Sequence, residues 1–268
     1  MPTYPFFLLL SGTLLLGCGN KPEEPNIGSS PVPASEKKLR DDIAAYPDSP
    51  ALRRKLIDYF VETGDYASAV SENEKLLQRY GNQPGLLDEK GRLSFLKGDT
   101  ATALKTYETL VELMPAEPQF RISLATLYAQ KGNPLALPAC DSLIRNYGGE
   151  ADLQGHFIKG LYHAQVKEPE IAVKLFDSCI SMQYNFSDAY REKAIALHNL
   201  SKYLEAAKTL ELQLSIDPGN EEAYYWLGRS FEKLNQKEQA VKNYRMAVQF
   251  DPGYAEALDA LARLGEKP

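Results

Sequence analysis

Asp217–Ala223 reads DPGNEEA and Asp251–Ala257 reads DPGYAEA, and their first residues stand 34 apart. A near-repeat at a fixed distance points to one supersecondary unit used several times. The interval returns elsewhere: Gly64, Gly98 and Gly132 follow one another at 34, as do Ala172, Ala206 and Ala240, and the pair Ala69 and Ala103. Apolar residues at spacings of three and four place one stripe on each helix of the unit. Pro115, Pro218 and Pro252 stop the second helices, because proline cannot continue one. Asp217 and Asp251 suit the turns that follow.

With this period the chain divides into six units, at 50–83, 84–117, 118–152, 153–186, 187–220 and 221–254, the third of 35 residues. In the last unit Tyr224, Leu227, Gly228 and Phe231, then Ala240, Tyr244, Ala247 and Pro252, keep the spacing of the tetratricopeptide-repeat signature, with Tyr where the signature has Trp. The chain thus resembles tetratricopeptide-repeat (TPR) proteins from Pro50 to Tyr254. Trp226, the only Trp, lies two residues off the signature position. Small residues (Gly91, Gly160, Gly228, or Ala125 and Ala194) mark where a first helix crosses a second, and Tyr107, Phe176 and Tyr244 fill the space beside the crossing. The expected fold is all-α: a right-handed α-solenoid of about six TPR helix pairs. Residues 35–49 carry a short covering helix, and 255–268 a capping helix and tail. A 34-residue pair is too small to fold alone, so its apolar faces need neighbours.

Composition narrows the function. Net charge is −6 and pI about 5.3, which leaves no basic footprint for a phosphate backbone. Three Cys and three His are too few and too scattered for a disulfide framework or a spaced zinc site. His156 and His163 share a helix face seven residues apart and are read as packing rings. Cys140 and Cys179 are read as buried thiols. No phosphate loop, G-x-S-x-G elbow or H-E-x-x-H pair occurs. The chain is expected not to be an enzyme and to need no cofactor, metal or small-molecule substrate.

The N-terminal stretch MPTYPFFLLLSGTLLLGCGN holds an apolar run of 11 residues, Phe6–Leu16, the length of a signal-peptide core and too short to span a bilayer. Leu15-Leu16-Gly17-Cys18 resembles the lipobox of bacterial lipoproteins, although no Lys or Arg precedes the run. The resemblance implies a leader over 1–17, removal of that leader, and lipidation of Cys18. Residues 18–34 form a Pro/Ser/Gly tether; the 17 residues 19–35 reach up to ~50 Å when extended. In the lipoproteins this stretch resembles, Asp directly after the cysteine signals inner-membrane retention, so Gly19 at that place implies the outer membrane of a bacterial envelope.

In the family this chain resembles, places 2, 5, 9, 12 and 13 of each unit line a concave groove, and their spacing makes one stripe on a helix. Carried onto this sequence, the first two units give Arg54, Asp58, Asp88, Arg92, Phe95 and Leu96. The middle two give Ile122, Thr126, Phe157, Leu161 and Gln165, and the last two Arg191, Ile195, His198, Tyr225, Arg229 and Lys233. Apolar residues in the middle and Arg at both ends suit a groove for a protein segment. Family members that clamp a C-terminal carboxylate use Lys at place 5 and Asn at place 9; here the first unit has Arg54 and Asp58, so that mode is not expected. The expected function is a membrane-anchored scaffold or adaptor for an envelope protein. The alternative is a structural subunit held by its convex face or edges.

Overall fold

The computed structural model describes residues 34–267. The expected leader, the Cys18 lipidation site and the tether lie outside the described residues, except for Ala34, which opens the first helix.

Among the described residues the chain forms 14 α-helices and no strand. These are α1 (Ala34–Ala45), α2 (Pro50–Glu62), α3 (Tyr66–Tyr80), α4 (Pro84–Leu96), α5 (Thr100–Leu113), α6 (Pro118–Gln130) and α7 (Ala136–Asn146). They continue with α8 (Gly149–Gln165), α9 (Pro169–Met182), α10 (Ser187–Asn199), α11 (Tyr203–Ile216), α12 (Glu221–Lys233), α13 (Lys237–Phe250) and α14 (Ala255–Arg263). Even-numbered helices from α2 to α12 are the first helices of the pairs and odd-numbered ones from α3 to α13 the second. One start departs from the expected register: α8 begins at Gly149, inside the third unit. Gly148 and Gly149, with φ of 63° and 54°, make the turn there, and Glu150 and Asp152 then sit in the first helical turn, where negative charge meets the positive end of the dipole.

The turn inside each pair has one construction. Gly64, Gly98, Gly132, Lys167, Ser201 and Asn235 all have φ between 58° and 88°. In five of these turns the next residue's N–H (Asp99, Asn133, Glu168, Lys202 and Gln236) donates to a carbonyl five residues back at 2.8–2.9 Å. This left-handed closure satisfies the orphan carbonyls of the first helix. Glycine adopts it without steric cost, whereas the lysine at 167 pays for its Cβ. Lys167→Gly is therefore expected to raise stability by up to about 1 kcal/mol, the gain being limited by the extra freedom of an unfolded glycine. A urea titration followed by far-UV circular dichroism checks it.

The chain divides into two compact units at Thr106/Tyr107, within α5. In the first, Leu56, Ile57, Phe60, Ala69, Leu76, Leu86 and Leu93 make the core, and Leu39 and Ile43 of α1 pack against it. Glu72 is buried and takes Arg53 and Lys75, each at 2.6 Å. Burial alone would raise its carboxyl, but those two partners outweigh it and hold the group below its ordinary value. Asn73, fully buried, donates to the Leu86 carbonyl at 3.3 Å and to Glu89 at 2.8 Å, tying α3 to α4.

The second unit shows why small residues recur. A Cβ on Gly160 would lie 2.5 Å from a ring carbon of Phe176, and one on Gly228 would lie 2.7 Å from the Tyr244 ring. The aromatic ring of the second helix rests directly on the backbone of the first. Tyrosine hydroxyls lock the turns between pairs: Tyr147 donates to the Pro115 carbonyl at 2.8 Å, Tyr190 to Tyr184 at 2.8 Å, and Tyr224 to Pro218 at 3.2 Å. The terminal α14 buries Ala257, Ala260 and Leu261 against α13, while Glu256, Asp259 and Arg263 are exposed. A terminal helix with a polar outer side gives stacking no further apolar surface to cover.

Candidate binding face

The first-helix side of α10 and α12, with the start of α14, gathers a cluster of aromatic and charged side chains. Its acidic end is built around Arg191. That guanidinium lies 3.0 Å from Asp188, 3.2 Å from Glu192 and 3.4 Å from Glu222, so it bridges α10 to α12. Burial pushes the carboxyls of Glu192 and Glu222 up; Arg191 opposes it at both, and at Glu222 a hydrogen bond from the Trp226 indole N–H does so too.

The other end is aromatic and basic. Trp226 meets Tyr225 edge-on at 5.8 Å and His198 edge-on at 5.5 Å, and His198 in turn meets Tyr203 at 5.0 Å. The Arg229 guanidinium lies 4.4 Å from the Trp226 ring centre and 5.8 Å from that of Tyr225, within cation–π range of both. Tyr225 also contacts Tyr244 at 5.9 Å and Tyr254 at 5.4 Å, which fixes its ring between α13 and α14. Tyr225, Trp226 and Arg229 are each half-buried, and Lys233, one helical turn beyond Arg229, is exposed.

His198 is buried, and its Nε2 has no hydrogen-bond partner among the described residues. Burial, helped by Arg229 and Lys233, pulls its pKa down to about 4. An unfolded histidine titrates near 6.5, so between about pH 6.5 and about pH 4 the unfolded chain binds more protons than the folded one. The stabilisation from neutral His198 is complete above that window and is lost as pH falls through it, by about 2–3 kcal/mol near pH 4. Urea unfolding near pH 7 and near pH 4.5 is expected to show a smaller acid loss for His198→Phe than for the unchanged chain. Equal losses would mean that His198 does not titrate in the window.

The structure separates the expected groove residues into three groups. Arg191, Ile195, His198, Tyr225, Arg229 and Lys233 lie on α10 and α12 of the second unit, with Ile122 half-buried on α6. Arg54, Arg92, Phe95 and Leu96 lie in the first unit on α2 and α4, Arg54 exposed and the others half-buried. The third group needs correction. Phe157 is 2% exposed, held between Phe176 at 5.6 Å and Phe186 at 5.0 Å, and Leu161 is 7% exposed, so both are core residues of their pair. Arg191 is 8% exposed and saturated by three carboxylates, so it joins helices and offers no free fork. Trp226 was not among the expected positions, although its signal was available: it is the chain's only Trp and stands next to Tyr225.

The other chemistry-bearing side chains are used internally. His156 is partly exposed and its Nδ1 bonds the Asp152 backbone carbonyl at 3.0 Å, while His163 Nδ1 meets the Glu168 carboxylate at 2.7 Å; each ring has a polar partner, where plain packing was expected. Cys140 and Cys179 are free and buried, and burial pushes both thiols up to about 12, which keeps them protonated. Among the described residues no group of three His, Cys, Asp or Glu is arranged to hold a metal ion, and no helix is long and apolar enough to cross a membrane.

Residues 222–253, which contain α12 and α13 almost entirely, match the family model described as tetratricopeptide repeat. No curated protein sequence matches the chain. Among solved structures, a tetratricopeptide repeat protein from Parabacteroides merdae is similar, with a TM-score of 0.70 at 18% identity, covering 87% of this chain and 91% of that one. A chain of the APC/C hetero-tetramer Cut9–Hcn1 gives 0.60 at 14% identity over 86% of this chain and 46% of that one. At these identities the likeness establishes the fold, an all-α repeat of the tetratricopeptide type.

Proposed function

We propose that this chain is a non-catalytic scaffold, anchored in a bacterial cell envelope by lipid on Cys18, which captures a protein partner on the first-helix side of its repeats. One observation carries the binding side of this reading. Tyr225, Trp226 and Arg229 stand together, half-exposed, on α12, and such aromatic and arginine clusters dominate interface energetics. Rings fixed by packing lose little freedom on binding. Anchoring rests on the Leu-Leu-Gly-Cys motif at 15–18 and the Pro-rich tether behind it. Two or more acyl chains hold a protein stably, whereas one is marginal.

A photo-crosslinking residue placed at Tyr225 is expected to trap a discrete partner in intact cells. The adduct should disappear when Trp226 is also changed to Ala. A crosslinker at Lys208, exposed on α11, serves as the control. Cys18→Ala is expected to leave the membrane fraction; retention at the level of the unchanged chain would remove the lipid anchor from the reading.

A second reading has its own observation. Ile171, Leu204 and Leu212, on the second helices α9 and α11, are 42%, 56% and 58% exposed. They favour a structural subunit held by its outer side. An adduct that forms at Leu212 and not at Tyr225 would select that reading.

A further inference from the structure

We infer that the shelf formed by Tyr225, Trp226, Arg229 and Lys233 receives an extended protein segment carrying an acidic side chain, whose carboxylate pairs with Arg229 and Lys233. This rests on the first-helix side being the binding side and names the chemistry of what binds there.

The chain carries −6 overall, yet here Arg229 and Lys233 stand on one side of α12, and the acid beside Lys233, Glu232, is itself bound to Arg263. Among the described residues neither Arg229 nor Lys233 has an ion-pair partner. Two carboxylates of the same helix are already committed. Glu232 accepts from Tyr244 at 2.9 Å and from two nitrogens of Arg263, and Glu222 faces Arg191. A carboxylate supplied from outside is the group the shelf lacks.

Geometry adds to charge. Arg229 is held over Trp226 at 4.4 Å and so is positioned before anything binds. Its guanidinium also donates to the Tyr225 hydroxyl, and the remaining N–H groups can offer a carboxylate a two-pronged bond. Lys233, four residues on, lies on the same side of the helix and can take the second oxygen or the next acid along the segment. The rings of Trp226, Tyr225 and neutral His198 make the floor of the shelf. Low polarity there strengthens a charge pair formed above it. The dipole of α12 offers a competing reason for Lys233, which lies in the last turn. It gives no reason for Arg229 to lie across an indole. A nucleic acid would offer charge and rings together, but an acidic chain with two free cations repels more phosphates than it pairs.

Trp226 is the only Trp of the chain, so its emission reports occupancy of the shelf. The probes are capped decapeptides of alternating Glu and Ser with one central Phe, and the same peptides with Gln or Lys in place of Glu. They are titrated into the full-length chain in detergent micelles at low salt. The Glu peptide is expected to shift Trp226 emission and to bind at least about tenfold tighter than the Gln peptide, with the advantage shrinking as salt is raised. Arg229→Gln and Lys233→Gln are each expected to weaken the Glu peptide by about tenfold, and Arg229→Lys by less. Lys233 is exposed, so its variant keeps the fold and the test stays decisive if Arg229→Gln unfolds.

Glu and Gln peptides that behave alike, including failure of both to bind, overturn the inference, as does a Lys peptide that binds as well. A polyphosphate or oligothymidylate that binds where the Glu peptide does not would reassign the shelf to phosphate. If a crosslinker at Tyr225 still traps a partner while Glu and Gln peptides are equal, the binding side stands and only the acidic chemistry falls. Loss of the Tyr225 adduct with selective Glu-peptide binding leaves the shelf's chemistry and removes the scaffold reading.

Discussion

Tyr244→Ala is expected to lower the unfolding free energy by about 3–5 kcal/mol, the range for removing a large buried aromatic. Tyr244 is fully buried, its ring rests on Gly228, and its hydroxyl donates to Glu232 at 2.9 Å. Glu232 also accepts from Arg263, so one side chain joins α13, α12 and α14. The truncation leaves a ring-sized hole beside a glycine, and no neighbouring side chain can fill the glycine's share. Stability in a repeat array is a sum of local terms, so the damage is expected to stay local. Hydrogen exchange should accelerate in α12–α14 and remain near its original rate in α8 and α9. Tyr244→Phe keeps the packing and is expected to lose only about 1.5–3 kcal/mol, the range for a hydrogen bond to a charged acceptor. A loss below about 1 kcal/mol for Tyr244→Ala would refute the account of these glycines as seats for aromatic rings.

The second large effect comes from one substitution made at two glycines. Gly160→Ala puts a methyl 2.5 Å from Phe176, whose ring is fully buried and already touches Phe157 at 5.6 Å. Overpacking of this kind costs about 1–3 kcal/mol or more, against about 1 kcal/mol gained from helix propensity. A net loss of about 2 kcal/mol is expected. Gly85, in α4, has nothing within 4 Å of the corresponding Cβ. Gly85→Ala is therefore expected to stabilise by about 0.5 kcal/mol, through the unfolded chain alone. Thermal or urea unfolding of the two variants should give opposite signs. The same sign at both sites would mean that the packing against Phe176 does not decide the outcome.

Much of this architecture was legible along the chain because its causes are local and periodic. Gly160 and Gly228, sixteen residues before Phe176 and Tyr244, announced a close crossing in each pair. Gly64, Gly98 and Gly132 marked the left-handed turns. Asn235 belongs to a residue type that visits this region readily, but Lys167 and Ser201, which make the same turn with φ near 60°, carried no such mark. Their conformation is imposed by the helices on either side, which outweigh a steric cost of about 1–2 kcal/mol per residue.

The binding face divided differently. Tyr225 and Arg229 are half-exposed at their places in the unit, but Phe157, Leu161 and Arg191 occupy equivalent places and are interior. A helical stripe says which side chains point the same way, and says nothing of what stands opposite. Phe186 closes over Phe157, and Glu222, 31 residues beyond Arg191, closes over the guanidinium. By itself, then, the sequence determined a helical repeat, its period, its small-and-large crossings and its acidic balance, since each depends on residues near one another in the chain. Only the tertiary structure decided which of the aligned side chains stay open to a partner, because exposure is a property of whatever packs on top, and that is set by residues from other helices.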